Sequence, residues 1–407
     1  MKCRFCNASV KNIFLSLGSS PLANSYLKEE QLTMMESFFP LEVYVCKECF
    51  LVQLQQFEST DNIFSNYVYF SSYSDIWLKH AKEYVDKMIK VFGINKSSHV
   101  VEIASNDGYL LQYFQKKNVP VLGIEPAGNV AQVAQEKGVP TQVEFFGLET
   151  AKRLFDEGKA ADLLLGNNVL AHVPDLNDFV SGLRILLKPK GVVTMEFPHL
   201  MRLVEENQFD TVYHEHFSYF SFLTVQKVFS AHGLILFDVE ELSTHGGSLR
   251  IYAKHKNDDS KLVSKRVQEL LDKEINSGFL DIESYLTFNE KVRSVKRDIL
   301  NFLIKAKQEG KTIVGYGAPA KGNTLLNYCG IRNDFIDYVV DRSPHKQGRY
   351  LPGTHIFIDR PERILETKPD YVLILPWNIK DEIMNQMSFV REWGGKFVVL
   401  IPRVEVF

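Results

Sequence analysis

Val100-Val101-Glu102-Ile103-Ala104-Ser105-Asn106-Asp107-Gly108 is a short apolar run that ends in polar, helix-opening residues, the pattern of a buried strand handing over to a helix through a nucleotide-type turn. From here the chain alternates. Apolar runs at 100–104, 120–125, 162–166 and 191–196 are separated by stretches of helical period at 109–117, 129–137 and 176–187. This succession predicts a parallel, doubly wound α/β sheet. Ligands of such sheets sit outside the carboxyl ends of the strands, where Glu102, Asn106, Asp107, Glu125, Asn167 and Asn168 fall. The turn, which also holds Ser105 and Gly108, lacks the three glycines that let a backbone approach a pyrophosphate, so a ligand without phosphates fits it better. S-adenosylmethionine is such a ligand: its ammonium and sulfonium cations suit Glu102, Asp107 and Asn106, and its ribose hydroxyls suit Glu125. The same turn also reads as an acidic helix start with Asn106 or Asp107 as N-cap, which is compatible with a ligand.

A second informative stretch is Thr211-Val212-Tyr213-His214-Glu215-His216-Phe217-Ser218-Tyr219-Phe220-Ser221. Two imidazoles, a carboxylate and two phenols in so few residues point to proton transfer, against the simpler reading of a buried, hydrogen-bonded histidine cluster. A metal site on His214 and His216 lacks the His-Glu-x-x-His helical spacing. In an extended strand those two histidines share a face and Glu215 points away.

Composition bounds the rest. With 407 residues, 45% hydrophobic and 24% charged, the chain is long enough for two or three domains. Its net charge of −3 gives no electrostatic reason to expect nucleic acid or an anionic membrane, no apolar run approaches a membrane span, and Met1-Lys2-Cys3 leads into polar sequence, so the chain reads as cytosolic. Cys3-Arg4-Phe5-Cys6 and Cys46-Lys47-Glu48-Cys49 are two Cys-x-x-Cys knuckles, and Cys329 stands apart. Four thiolates satisfy tetrahedral Zn²⁺ without an open position, so Cys3, Cys6, Cys46 and Cys49 predict a structural zinc rather than disulfides or a catalytic metal. Beyond the knuckles, Tyr67, Tyr69, Tyr73 and Trp77 lie in a Ser-rich stretch that continues with helical period to about Phe92. It predicts a cap leaning over the next domain, its tyrosines either packing or facing a substrate.

Taken in order, the four-cysteine module, Glu-x-Ala-Ser-Asn-Asp-Gly, Asn168-x-x-x-His172-x-Pro174, Tyr213-His214-Glu215-His216, His245-Gly246-Gly247-Ser248-Leu249-Arg250 and Gly315-Tyr316-Gly317-Ala318-Pro319-Ala320-Lys321-Gly322-Asn323-Thr324 resemble, over the whole chain, the nucleotide-sugar C-methyltransferases that methylate C3 of a 4-keto deoxysugar. The resemblance implies S-adenosylmethionine and zinc as cofactors. It also implies a nucleotide-diphosphate sugar substrate, with thymidine the family's default carrier and guanosine or cytidine as alternatives, and it puts Tyr213, Asn168, His172 and one of Tyr67 and Tyr69 in the active-site cleft. Carbon methylation needs a base to remove the proton alpha to the carbonyl. His216, whose ordinary pKa of about 6.5 leaves it largely neutral at pH 7, is the candidate, with Glu215 orienting it or binding a sugar hydroxyl. Oligomeric state is silent in the sequence.

After a charged helical stretch at 260–307, strand, glycine turn and helix begin again at 312–317 and 320–328. The resemblance gives this second Rossmann-like α/β domain a role in holding the sugar nucleotide, through Gly317, Lys321 and Asn323, with His245 and Arg250 also assigned to the substrate. Asp341, at the end of the following strand, keeps a nicotinamide-dependent oxidoreductase open as the rival reading, beside an O-methylating relative. The expected division is a zinc module at 1–60, a methyltransferase domain with its cap at 61–255 and the second α/β domain at 256–407.

Overall fold

The computed structural model describes residues 1–58 and 70–407, so Tyr67 and Tyr69 lie outside the described residues. The central sheet carries, in spatial order, Thr141–Gln142, Val121–Ile124, Val100–Ile103, Ala161–Asn167, Leu187–Pro198, Ser248–His255 and Leu234–Leu242. Its first five strands are parallel, and the buried runs Val100, Val101 and Ile103 or Leu163, Leu164 and Leu165 are continuous because helices cover both faces. The sixth, Ser248–His255, runs antiparallel to both neighbours. The doubly wound expectation therefore holds for the parallel part, while the sheet as a whole is mixed. A hairpin closes it, because Leu234–Leu242 turns through Thr244–Gly246 and comes back inside itself. The alternation reading stops before this hairpin. Its strands carry Glu240 and Arg250, and Arg250 pairs with both Glu240 and Glu196.

The predicted cap is the helix Asp75–Phe92, started by Ser74, whose hydroxyl accepts from Trp77 N, and ended by Gly93 in the left-handed conformation. Trp77, Ala81, Tyr84, Val85 and Met88 form its buried stripe, packed on the central sheet, where the Tyr84 hydroxyl meets Thr194 Oγ1 at 2.6 Å. The amino-terminal sheet contains Asn12–Ser20, Phe39–Val45, Val52–Leu54 and, from far along the chain, Ser218–Tyr219. The third sheet is parallel through Ile358–Asp359, Val339–Val340, Ile313–Tyr316, Tyr371–Ile374 and Lys396–Val399, with Glu405–Val406 antiparallel at its edge.

One apolar core runs through both the amino-terminal sheet and the carboxyl-terminal unit: Phe14 stacks on Phe288 at 5.0 Å, and Leu200, Phe209 and Val212 join Leu325, Leu326 and Trp377. The segment before His216 thus lies where the amino-terminal sheet and the carboxyl-terminal unit meet.

Candidate active site

The turn after Val100–Ile103 is built from alternating left-handed residues: Ala104, Asn106 and Gly108 have φ of 55°, 50° and 75°. Asn tolerates that region, and a Cβ on Gly108 would come within 2.9 Å of Val139. Glu125 braces the turn, one carboxylate oxygen accepting from Asn106 N and the other from Ala127 N, both at 2.9 Å. Glu102 is fully buried, and burial pushes its carboxyl well above the usual range against the pull of the Tyr109 hydroxyl. Asp107 Oδ2 pairs with Lys137 at 3.0 Å, whereas its Oδ1 and the Ser105 hydroxyl are buried without partners among the described residues. Buried acceptors of this kind call for a cationic, hydrogen-bonding ligand, and the donor set fits S-adenosylmethionine. The cap reaches the same turn, since Ser71 N donates to Asn106 Oδ1 at 2.8 Å.

Beside this crevice stand the histidines. His216 Nδ1 lies 2.9 Å from the Thr211 carbonyl, which can only accept. Nδ1 therefore carries the proton and Nε2 the basic lone pair. Burial first, and then the neighbouring His172, hold His216 well below its ordinary pKa, so the ring is neutral at pH 7. His172 is at 4.7 Å and Tyr213 at 4.1 Å, centroid to centroid; burial lowers His172 to about 4. The segment is a turn closed by His216 N donating to Tyr213 O at 2.9 Å, not the extended strand in which the two histidines would share a face. His214 and His216 accordingly diverge. His214 Nε2 faces the Pro40 carbonyl at 3.2 Å among Phe39 and Phe57, in the amino-terminal module. Glu215 also turns from the His216 ring, accepting from Asn24 Nδ2 at 2.6 Å.

Asn168, at φ 54°, places Nδ2 3.0 Å from His245 Nε2. His245 packs edge-on to Trp77 and is lowered to about 4 by burial and then by Lys321. Asn167 donates to the Tyr109 hydroxyl at 3.4 Å. Lys321 sends its ammonium over the Trp377 ring at 4.5 Å and to Asn378 Oδ1 at 2.7 Å, and burial lowers its pKa. Trp377 Nε1 donates at 2.7 Å to Asp210, a carboxyl that burial raises to about 6. Lys321 thus stands close enough to His245 and His216 for its charge to lower both.

Other expected substrate residues have structural engagements. Arg250 is clamped by Glu196 at 2.9 Å and Glu240 at 3.2 Å, and Asn323 donates to the Ala23 carbonyl at 2.6 Å. Asp341 accepts from Ala318 N and Ser343 N, bracing the Gly317 turn.

Residues the sequence did not mark also lie in this region. Glu196 is fully buried under it; burial opposes its charge, but His80 and Arg250 prevail and hold it below the usual carboxylate range. His80 stacks on Trp77 at 4.9 Å. Glu196 had one legible signal, its position at the carboxyl end of a strand; Asp210 had none.

At the amino terminus, the sulfurs of Cys3, Cys6, Cys46 and Cys49 all lie within 4.8 Å of one another. Each knuckle closes the same way, with Asn7 N donating to Cys3 O and Phe50 N to Cys46 O, both donors at positive φ. Four thiolates around Zn²⁺ stand about 3.8 Å apart. The cluster fits a structural zinc, with no position left for water.

Family models match three parts of the chain: "C-methyltransferase C-terminal domain" at residues 243–402, "Methyltransferase domain" at 77–238 and "Putative zinc binding domain" at 3–64. The C-methyltransferase NovU of Streptomyces niveus is 36% identical over 405 residues, which span 100% of this chain and 96% of that one. A ubiquinone biosynthesis O-methyltransferase of Bartonella bacilliformis is 26% identical over 95 residues, 23% of this chain and 38% of that one. Among solved structures, the magnesium protoporphyrin IX methyltransferase of Synechocystis with bound S-adenosylmethionine aligns with 44% of this chain and 81% of its own, at 16% identity and a TM-score of 0.33.

Proposed function

The chain belongs to the C-methyltransferase family along its whole length, and from that premise we propose that it methylates C3 of a nucleotide-diphosphate 4-keto deoxysugar. S-adenosylmethionine-dependent transfer to carbon follows from the family and displaces the nicotinamide reading; the sugar, its carrier and the residue roles are the proposal. The observation that carries it is His216, held neutral as a single tautomer with Nε2 available, beside Tyr213 and His172.

An sp³ carbon bearing hydrogen becomes a nucleophile only when a base takes its proton and an adjacent carbonyl accepts the charge. His216 Nε2 takes the C3 proton. Tyr213, His172 and Asn168 offer hydroxyl, imidazole and amide groups to the C4 oxygen as it gains charge. Bound S-adenosylmethionine supplies the electrophilic methyl. Glu102, Asn106, Asp107 and Asn167 meet its charged end, and Glu125 meets its ribose hydroxyls with lone pairs beyond those that brace the turn. Lys321, a cation facing the histidines from the carboxyl-terminal unit, meets the substrate's diphosphate, with the Gly317 turn behind it. Glu215 binds a sugar hydroxyl or serves the Asn24 contact alone.

Incubation with S-adenosylmethionine and thymidine, guanosine or cytidine diphosphate 4-keto deoxysugars tests the proposal. A product with the new methyl on C3 by NMR supports it; a methyl on oxygen, or no turnover with any carrier, ends it.

A further inference from the structure

We infer that Arg4, inside the first zinc knuckle, is a positioning residue that sets the geometry of both active-site histidines. The inference rests on the reading of His216 as the base. Arg4 is far from the reacting atoms in sequence, and its own position is fixed by the metal module: its N–H donates to Gln53 Oε1 at 2.9 Å, and Gln53 Nε2 lies 3.3 Å from Cys3 Sγ. Its carbonyl accepts from Asn177 Nδ2 at 3.2 Å.

The guanidinium then reaches three backbone carbonyls on three stretches of chain. Nη1 donates to Pro174 O at 2.8 Å, Nε to Phe217 O at 3.3 Å, and Nη2 to Leu54 O. Its carbon lies 5.1 Å from the Phe217 ring centroid. Pro174 stands two residues after His172, and Phe217 directly follows His216. Phe217 N also donates to Ala171 O at 2.8 Å, just before His172, and Leu54 N to Phe217 O at 3.0 Å. One rigid plane therefore ties the two histidine-bearing segments to each other and to the strand Val52–Leu54 that carries Gln53. A planar fork with five fixed donors can span three acceptors in this way; the single rotating ammonium of lysine cannot reproduce the arrangement. Misplacement of reacting groups by about 1 Å costs on the order of 10²-fold in rate, so loosening this tie reads out in turnover rather than in binding.

The test uses full-length Arg4→Lys and Arg4→Ala proteins, with zinc stoichiometry, S-adenosylmethionine affinity by calorimetry, kcat, and ¹⁵N NMR of the imidazoles. The expected result is one zinc per chain and wild-type cofactor affinity in both variants, with kcat about 10- to 100-fold lower. The His216 nitrogens should shift from a single Nδ1–H tautomer toward an average of two, and millimolar guanidinium should restore part of the Arg4→Ala turnover. Wild-type kcat and wild-type imidazole signals in both variants overturn the inference. So does an Arg4→Lys protein that has lost zinc and recovers fully when zinc is returned, since Arg4 would then serve metal retention alone. The imidazole signals need no sugar substrate, so a failure of the proposed reaction and a failure of the Arg4 tie are read separately.

Discussion

His216 shows how much a single hydrogen bond decides. The Thr211 carbonyl at 2.9 Å selects the tautomer, and burial keeps the ring neutral, so a residue of ordinary chemistry becomes a base with a defined lone pair. His216→Asn is expected to lower turnover about 10²–10⁴-fold, the range of general-base removal, while both ligands still bind. In heavy water, with substrate and demethylated cofactor, the wild type should wash deuterium into C3 and His216→Asn should not. Retained exchange in the variant would move the role to His172, because His214 faces Pro40. Glu125 allows a second residue-scale test. Glu125→Ala should weaken S-adenosylmethionine by on the order of 1–3 kcal/mol in calorimetry. Part of that loss reflects the bonds to Asn106 N and Ala127 N, so an unchanged cofactor affinity would remove Glu125 from both roles.

Two connecting elements carry consequences beyond their size. Ser218–Tyr219 pairs with Val52 and Gln53, so the zinc module holds the chain immediately after His216. Removing zinc with a chelator, or Cys46→Ala, should raise amide exchange not only around the knuckles but also across 217–219, as followed by mass spectrometry. Protection at 217–219 that survives zinc loss would separate module and site. The turn Thr244–Gly246 is the other element. Gly246 has φ +89°, and a Cβ there would stand 2.4 Å from the Trp377 ring. Gly246→Ala should cost about 1–3 kcal/mol through overpacking and disturb Lys321, which rests on the same ring; a thermal midpoint equal to wild type would contradict this contact.

At the scale of the whole molecule, the amino-terminal sheet and the carboxyl-terminal unit share one core, which also takes in Leu200, Phe209 and Val212 of the stretch before His216. Lys321→Ala should raise the KM for the sugar nucleotide and leave cofactor affinity alone, with a smaller effect at high salt; a fall in cofactor binding would reverse the assignment. Several buried histidines also set a pH dependence. His172 and His245 stand at about 4 in the fold, against about 6.5 unfolded. Between these values the unfolded chain binds more protons, so stability is complete above about pH 6.5 and is lost as pH falls through about 4, on the order of 3 kcal/mol for each histidine. Thermal midpoints recorded from pH 7.5 to 5 should fall, and His172→Asn should flatten the slope.

The sequence alone determined the features that depend on local pattern. Apolar runs between helical periods predicted the parallel sheet, and paired knuckles predicted the zinc ligands, because four thiolates need only each other and a metal. What required the tertiary structure depends on partners distant in the chain. The antiparallel hairpin was hidden because Arg250 pairs across strands with Glu196 and Glu240. The direction of His214 was not legible because it depends on a turn, closed by His216 N and Tyr213 O. Lys321 is held by Trp377 and Asn378, partners of which its own glycine turn gives no sign. Charge and periodicity are written residue by residue, whereas desolvation and pairing exist only once separate stretches of chain have been brought into contact.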